Sequence, residues 1–147
     1  MGDPVIEPLS AEQATAIRSW RYPGPYATYD VTEEIGAEQG LFAVMDDGEL
    51  IGYCCFGVEA RIPGAGARSG VLDVGYGMRP DLMGQGRGRA FVSAILEFGI
   101  GRFRPQRVRM FVLRWNARSR NAALRQGFAI TDRVRDFDVL EREPEPG

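Results

Sequence analysis

The chain has neither lysine nor histidine; all 18 of its basic residues are arginine. Without histidine it lacks the commonest general base near neutral pH and the commonest metal ligand. Without lysine there is no Schiff-base chemistry and no Gly-Lys-Ser/Thr ending for a Walker A phosphate loop. Cysteine is scarce too: Cys54 and Cys55 are the only pair, and they are adjacent. Neighbours in an extended run project to opposite faces, which excludes a disulfide between them and a metal knuckle, so they read as strand residues in a reducing compartment and no metal is expected. No apolar run approaches a membrane span, and Met1-Gly2-Asp3-Pro4 lacks the charged-then-apolar pattern of a signal peptide. The expected location is cytoplasmic, with no membrane partner.

What is present fits a soluble globular chain. A hydrophobic content of 44% and a charged content of 26% lie far from the signature of disorder. At 147 residues one core is expected, hence a single domain over 1–147. The net charge of -2 conceals an arginine-rich middle, from Arg79 to Arg125, between acidic ends.

Local signals then place the elements. Ser10 and Gln13 match a capping box, and Ala14, Ile17 and Trp20 follow at helical spacing, which predicts a helix over about 11–20. Residues 20–30 hold Trp20, Tyr22, Tyr26 and Tyr29 among two prolines and a glycine, an aromatic loop without regular structure. Leu41–Met45 and Leu50–Phe56 flank an Asp-Gly turn, the mark of a hairpin. The glycine-rich stretch 61–70 reads as a mobile surface loop before a strand over Val71–Met78. A long amphipathic helix over about 87–102 follows, then a strand over Arg107–Leu113. A short helix opens at Asn116 and ends at Gly127, extended stretches cover 128–134 and 137–140, and a disordered tail is expected over 143–147. The order gives a mixed α+β domain on a central sheet.

Between the central strand and the long helix lies Gly84-Gln85-Gly86-Arg87-Gly88. A helix N-terminus presents unpaired N–H groups and partial positive charge, so a glycine turn there wraps phosphate closely, and Arg87 and Arg89 add charge. The spacing is not the Rossmann fingerprint, and no acidic residue ends the next strand.

The run Val74 to Gly88 resembles the acetyl-CoA signature of the GNAT superfamily of N-acetyltransferases, with Gly86 and Gly88 at its two small positions. A second block, Asn116 to Phe128, resembles that family's Asn-x-x-Ala/Ser and Gly-Phe block at the same internal spacing. The resemblance implies a mixed, mostly antiparallel sheet flanked by about four helices, with a splayed strand pair forming the acyl-CoA site. It implies acetyl-CoA as co-substrate: Tyr76 and Met78 would hold the pantetheine arm, Gly84, Gln85, Gly86, Arg87, Gly88 and Arg89 the pyrophosphate, and Asn116 with Ser119 the cofactor arm. The alternative for Asn116 is a plain helix cap.

By the same resemblance, the amine of a small molecule or peptide attacks the thioester directly, and Trp20, Tyr22, Tyr26 and Tyr29 form the acceptor-side wall. Those rings also suit simple core closure. Asp73 is the carboxylate on the central strand that would act as base, its alternative being an outward-facing partner of an arginine. Tyr76 is a candidate proton donor, against a packing role. The sequence departs from the family pattern at Met83, and it carries Phe111 and Ala123 where the ribosomal-protein alanine acetyltransferases have their catalytic Glu and Tyr. Phe111 and Ala123 motivate a second reading, an inactive acyl-CoA-binding or regulatory module. Nucleic-acid binding through Arg102 to Arg120 is weaker, because the chain is acidic and has no reader motif. Monomer and homodimer both stay open.

Overall fold

In the computed structural model, which describes residues 3–145, seven strands form one sheet in the order β1-β2-β3-β4-β5-β7-β6. The strands are β1 (Val5–Pro8), β2 (Leu41–Asp46), β3 (Glu49–Phe56), β4 (Val71–Met78), β5 (Arg107–Leu113), β6 (Ala129–Val134) and β7 (Phe137–Arg142). Three α-helices accompany them: α1 (Ala11–Ser19), α2 (Gly88–Phe103) and α3 (Ala117–Arg125). Among the described residues no helix is long and apolar enough to cross a membrane. The chain folds into two compact units, one of residues up to Cys55 with Tyr76–Ile95, the other of Phe56–Gly75 with the residues from Leu96 onward.

The first unit is an antiparallel β1-β2-β3 meander with α1 and the start of α2. Ser10 caps α1 by accepting from the Gln13 N–H at 3.1 Å, while the Ser10 N–H donates to Gln13 Oε1 at 2.8 Å. The β2–β3 turn places Asp47 and Gly48 at φ of 49° and 76°, the left-handed pair a tight hairpin needs. Strand β1, pairing Val5 with Met45 through Pro8 with Phe42, carries no sequence signal. It is four residues long and holds a proline, which an edge strand tolerates because one side of its ladder is unused. The aromatic segment also differs from expectation: Gly24–Tyr29 is a 3-10 helical turn, with Pro25 set where a missing N–H costs nothing. Ile17, Val44, Ile51, Cys54, Phe91 and Ile95 are fully buried and make the core of this unit.

In the second unit β4 and β5 are parallel, pairing Val71, Leu72 and Asp73 with Arg107, Val108 and Arg109. On its other side β5 pairs antiparallel with β7, from Val108 opposite Arg142 to Leu113 opposite Phe137. Gly127 stops α3 in a left-handed conformation, φ 90°, and lets the chain turn so that Phe128 is buried. The 61–70 loop, expected to be mobile, is tied at several points. Arg109 donates to the Gly66 carbonyl at 2.8 Å, the N–H groups of Gln106 and Arg107 donate to the Gly70 carbonyl, and Arg61 and Arg68 ion-pair with Asp73 and Glu141. The tail residues 143–145 extend beyond β7, and 146–147 lie outside the described residues.

Candidate functional site

The end of β4 and the turn that follows it belong to the first unit. The Arg79 N–H donates to the Ile51 carbonyl of β3 at 2.8 Å. Since successive residues of a strand point their backbone groups to opposite edges, those of Tyr76 and Met78 address the edge away from β3. The chain packs tightly there: a Cβ on Gly52 would stand 2.6 Å from the Gly77 carbonyl oxygen, and one on Gly77 would stand 2.6 Å from the Tyr53 ring. Only glycine fits at either position.

After a short 3-10 turn at Pro80–Leu82, Gly84 and Gly86 take φ of 75° and 76° and deliver the chain to Gly88, first residue of the 16-residue helix α2. Residues 84–86 are exposed, and a Cβ on Gly86 or Gly88 would meet nothing within 4 Å. The turn therefore offers open space beside the N–H groups that open a helix, a cradle suited to phosphate oxygens. Its two arginines differ. Arg87 is half-buried and pairs with the buried carboxylate of Asp46 at 2.9 Å, and the Arg89 residue is exposed at the surface of the turn. Gln85 donates to the Asp81 carbonyl at 2.7 Å and so braces the turn from within.

The aromatic residues of the first unit have distinct settings. Tyr22 is buried, and its hydroxyl donates to the Met78 carbonyl at 2.6 Å while its N–H donates to Asp30. Burial, with smaller contributions from Tyr53 and Asp30, pushes its pKa far above the usual phenol range. The Tyr26 and Tyr29 rings meet at a tilt of 36° with centroids 6.4 Å apart, Tyr29 meets Tyr22 edge-on at 6.5 Å, and the Trp20 ring lies 6.4 Å from that of Tyr53. Tyr53 was missed by sequence reasoning, because nothing in a strand's alternation says that its ring covers Gly77. Burial, then the nearby Cys55, pushes its phenol up to about 12. Both phenols are thus protonated donors at neutral pH. Tyr76 packs its ring edge-on against Phe91, centroids 5.8 Å apart, the packing role left open by the sequence.

In the second unit Asp73 has no exposed surface. Arg109, its partner across the parallel ladder, donates to it at 2.5 and 3.0 Å, and Arg61 donates at 2.7 Å. Both carboxylate oxygens are occupied by guanidinium groups, so the residue is arginine-paired and buried rather than outward-facing. Asn116 is buried and caps α3, its side-chain oxygen accepting from the Ser119 N–H at 3.1 Å. Phe111 lies under the Arg109 guanidinium at 4.9 Å, and Ala123 is fully buried, so both have packing roles. Among the described residues no cluster of acidic or thiol side chains suits a metal ion.

Residues 4–129 match the profile of the acetyltransferase (GNAT) domain. No curated protein matches the sequence. Among solved structures the chain resembles AAC(6')-Ib in complex with ribostamycin and coenzyme A, with a TM-score of 0.76 at 18% identity over 97% of this chain and 94% of that one. It also resembles a spermidine N-acetyltransferase SpeG chimera from Vibrio cholerae and hSSAT, with a TM-score of 0.74 at 12% identity over 97% and 96% of the two chains. Campylobacter jejuni N-acetyltransferase PseH in complex with acetyl coenzyme A gives a TM-score of 0.58 at 18% identity, over 70% of this chain and 66% of that one. At such identities the likeness is one of fold.

Proposed function

This chain belongs to the GNAT acetyltransferase family, and we propose that it moves an acetyl group from acetyl-CoA to a primary amine by direct attack in a ternary complex. The observation that carries the proposal is the turn Gly84–Arg89, exposed over residues 84–86 and with open space on Gly86 and Gly88, leading into α2 inside the region that matches the domain profile. In this reading the N–H groups of the turn bind the pyrophosphate, with Arg89 as the added cation. The backbone groups of Tyr76 and Met78 hold the pantetheine arm. Tyr22 fixes that strand end by bonding the Met78 carbonyl. Asn116 and Ser119 are assigned to the cofactor arm on the family resemblance, alongside the cap they form.

Acetyl-CoA supplies the activated thioester; the chain supplies position, which accounts for much of the rate in a two-substrate transfer. Asp73 is not given the role of base, because it is buried with both carboxylate oxygens already held by Arg61 and Arg109. The amine proton then leaves to water, and the phenols of Tyr53 and Tyr76 are the donors on hand for the departing thiolate. The acceptor is an amine-bearing small molecule or peptide, a reading supported by solved neighbours named for spermidine and crystallised with ribostamycin. Free-thiol release from acetyl-CoA across a panel of amines, run beside a thermal-shift titration with acetyl-CoA, tests the proposal.

A second reading, an acyl-CoA-binding module without turnover, is favoured by one observation: Phe111 and Ala123 are both taken up in packing. Thermal stabilisation by acetyl-CoA without thiol release from any amine selects it.

A further inference from the structure

A groove of about 660 Å³ lies in the second unit, in the size range of small-molecule sites. Its lining comes from the end of β5, the start of α3 and the β6–β7 hairpin. Trp115 and Ile130 are 45% and 49% exposed and give it an apolar flank. The charged lining is Arg114, Arg120 and Arg133 against Asp136 and Asp138, three guanidiniums to two carboxylates. Asp138 is buried, 3% exposed, and lies 3.7 Å from Arg120 and 3.3 Å from Arg133. Arg120 also donates to the Arg114 carbonyl at 2.7 Å. The Arg120 and Arg133 guanidiniums are thus held by one buried carboxylate, yet the Arg133 side chain stays 58% exposed and Arg114 is exposed.

The groove adjoins a residue already assigned. Leu113, Arg114 and Trp115 line it, and the next residue is Asn116, whose N–H donates to the Leu113 carbonyl at 2.8 Å. One turn therefore carries both the groove wall and the residue proposed for the cofactor arm.

We propose that this groove docks the acceptor, and that the acceptor is a carboxylate-bearing amine. Its carboxylate meets the guanidiniums of Arg133 and Arg114, whose planar fork matches a carboxylate, and its carbon body lies on Trp115 and Ile130. A polycationic amine meets a surplus of like charge there and is disfavoured. The inference rests on the acetyl-transfer reading, through Asn116.

Two measurements keep the inference and that reading apart. In the first, initial rates are compared for L-phenylalanine, L-phenylalaninamide and spermidine. Phenylalanine is expected to be preferred. Arg133→Gln and Arg114→Gln, both at exposed side chains, each raise its KM by about tenfold, with the KM values for the amide and for acetyl-CoA unmoved. Transfer that ignores the carboxylate and both substitutions overturns the groove while leaving acetyl transfer standing. In the second, the Trp20→Phe protein has Trp115 as its one indole, since the chain holds two tryptophans. Titration with N-acetyl-L-phenylalanine is expected to change its fluorescence saturably, and Arg133→Gln to abolish the change. That result without acetyl transfer to any amine supports the groove as a carboxylate site and counts against the transfer reading. No saturable change overturns the groove.

Discussion

Asp73 and Arg109 face each other across the parallel β4–β5 ladder and are joined by two hydrogen bonds, of 2.5 and 3.0 Å, with neither residue more than 5% exposed. Arg61 completes the cluster from the 61–70 loop. A carboxylate this enclosed is an ion-pair partner, and removing it leaves guanidinium charge without compensation. Asp73→Asn is therefore expected to lower stability by about 3–5 kcal/mol. Urea unfolding reads the loss, and the rate per folded molecule should stay near that of the parent. A rate that collapses in a sample still fully folded would restore Asp73 as base.

Glu141 gives the fold an acid-sensitive lock. Burial favours its neutral form, but hydrogen bonds from Arg68, Thr131 and Arg107 prevail and hold its carboxyl at about 2, against an ordinary 4.5. A depressed folded value means the contribution is fully present above pH 4.5 and fades as pH falls toward 2. Denaturant midpoints measured at successive pH values should fall through that window. In Glu141→Gln they should be lower at neutral pH and flatter through it; an unchanged acid slope would assign the loss to other carboxylates.

The family resemblance puts Tyr22 in the acceptor wall, but its hydroxyl donates to the Met78 carbonyl. Tyr22→Phe is expected to cost about 1 kcal/mol for the lost hydrogen bond, to weaken acetyl-CoA binding through the loosened strand end, and to leave the acceptor KM alone. A changed acceptor KM with unchanged stability would place Tyr22 in the wall after all.

The legibility of this fold tracks the range of the interactions. Ser10 with Gln13, Asp47 with Gly48, and Asn116 with Ser119 act within a few residues, and each marks its element in the sequence. The Gly84–Gly88 turn is local too, with Gly84 and Gly86 in the left-handed region. Strand β1 escaped because its four residues have no pattern of their own and form by pairing with β2. The clamped loop escaped because Arg68 finds Glu141 across 73 positions, and no spacing rule couples charges at that distance. Tyr53 escaped for a similar reason: its partner Gly77 is visible only once β3 and β4 lie side by side. The groove at Trp115 escaped because its lining gathers from three elements.

The two glycines of the turn separate conformation from space. Gly86 has φ 76°, so Gly86→Ala is strained despite the open space around it, by about 1 kcal/mol. Gly88 is already helical with nothing near a Cβ, so Gly88→Ala should keep or slightly raise stability. If the turn cradles pyrophosphate, both weaken acetyl-CoA binding by calorimetry, Gly88→Ala without any loss of stability. Unweakened binding in both would move the pyrophosphate elsewhere.

The most direct test of the central claim is thiol release from acetyl-CoA by the intact chain, measured with and without amines and with the acetylated product identified by mass. Acetyl transfer predicts amine-dependent release matched one for one by N-acetylated product. Release that no amine stimulates, or none at all with acetyl-CoA demonstrably bound, would contradict it.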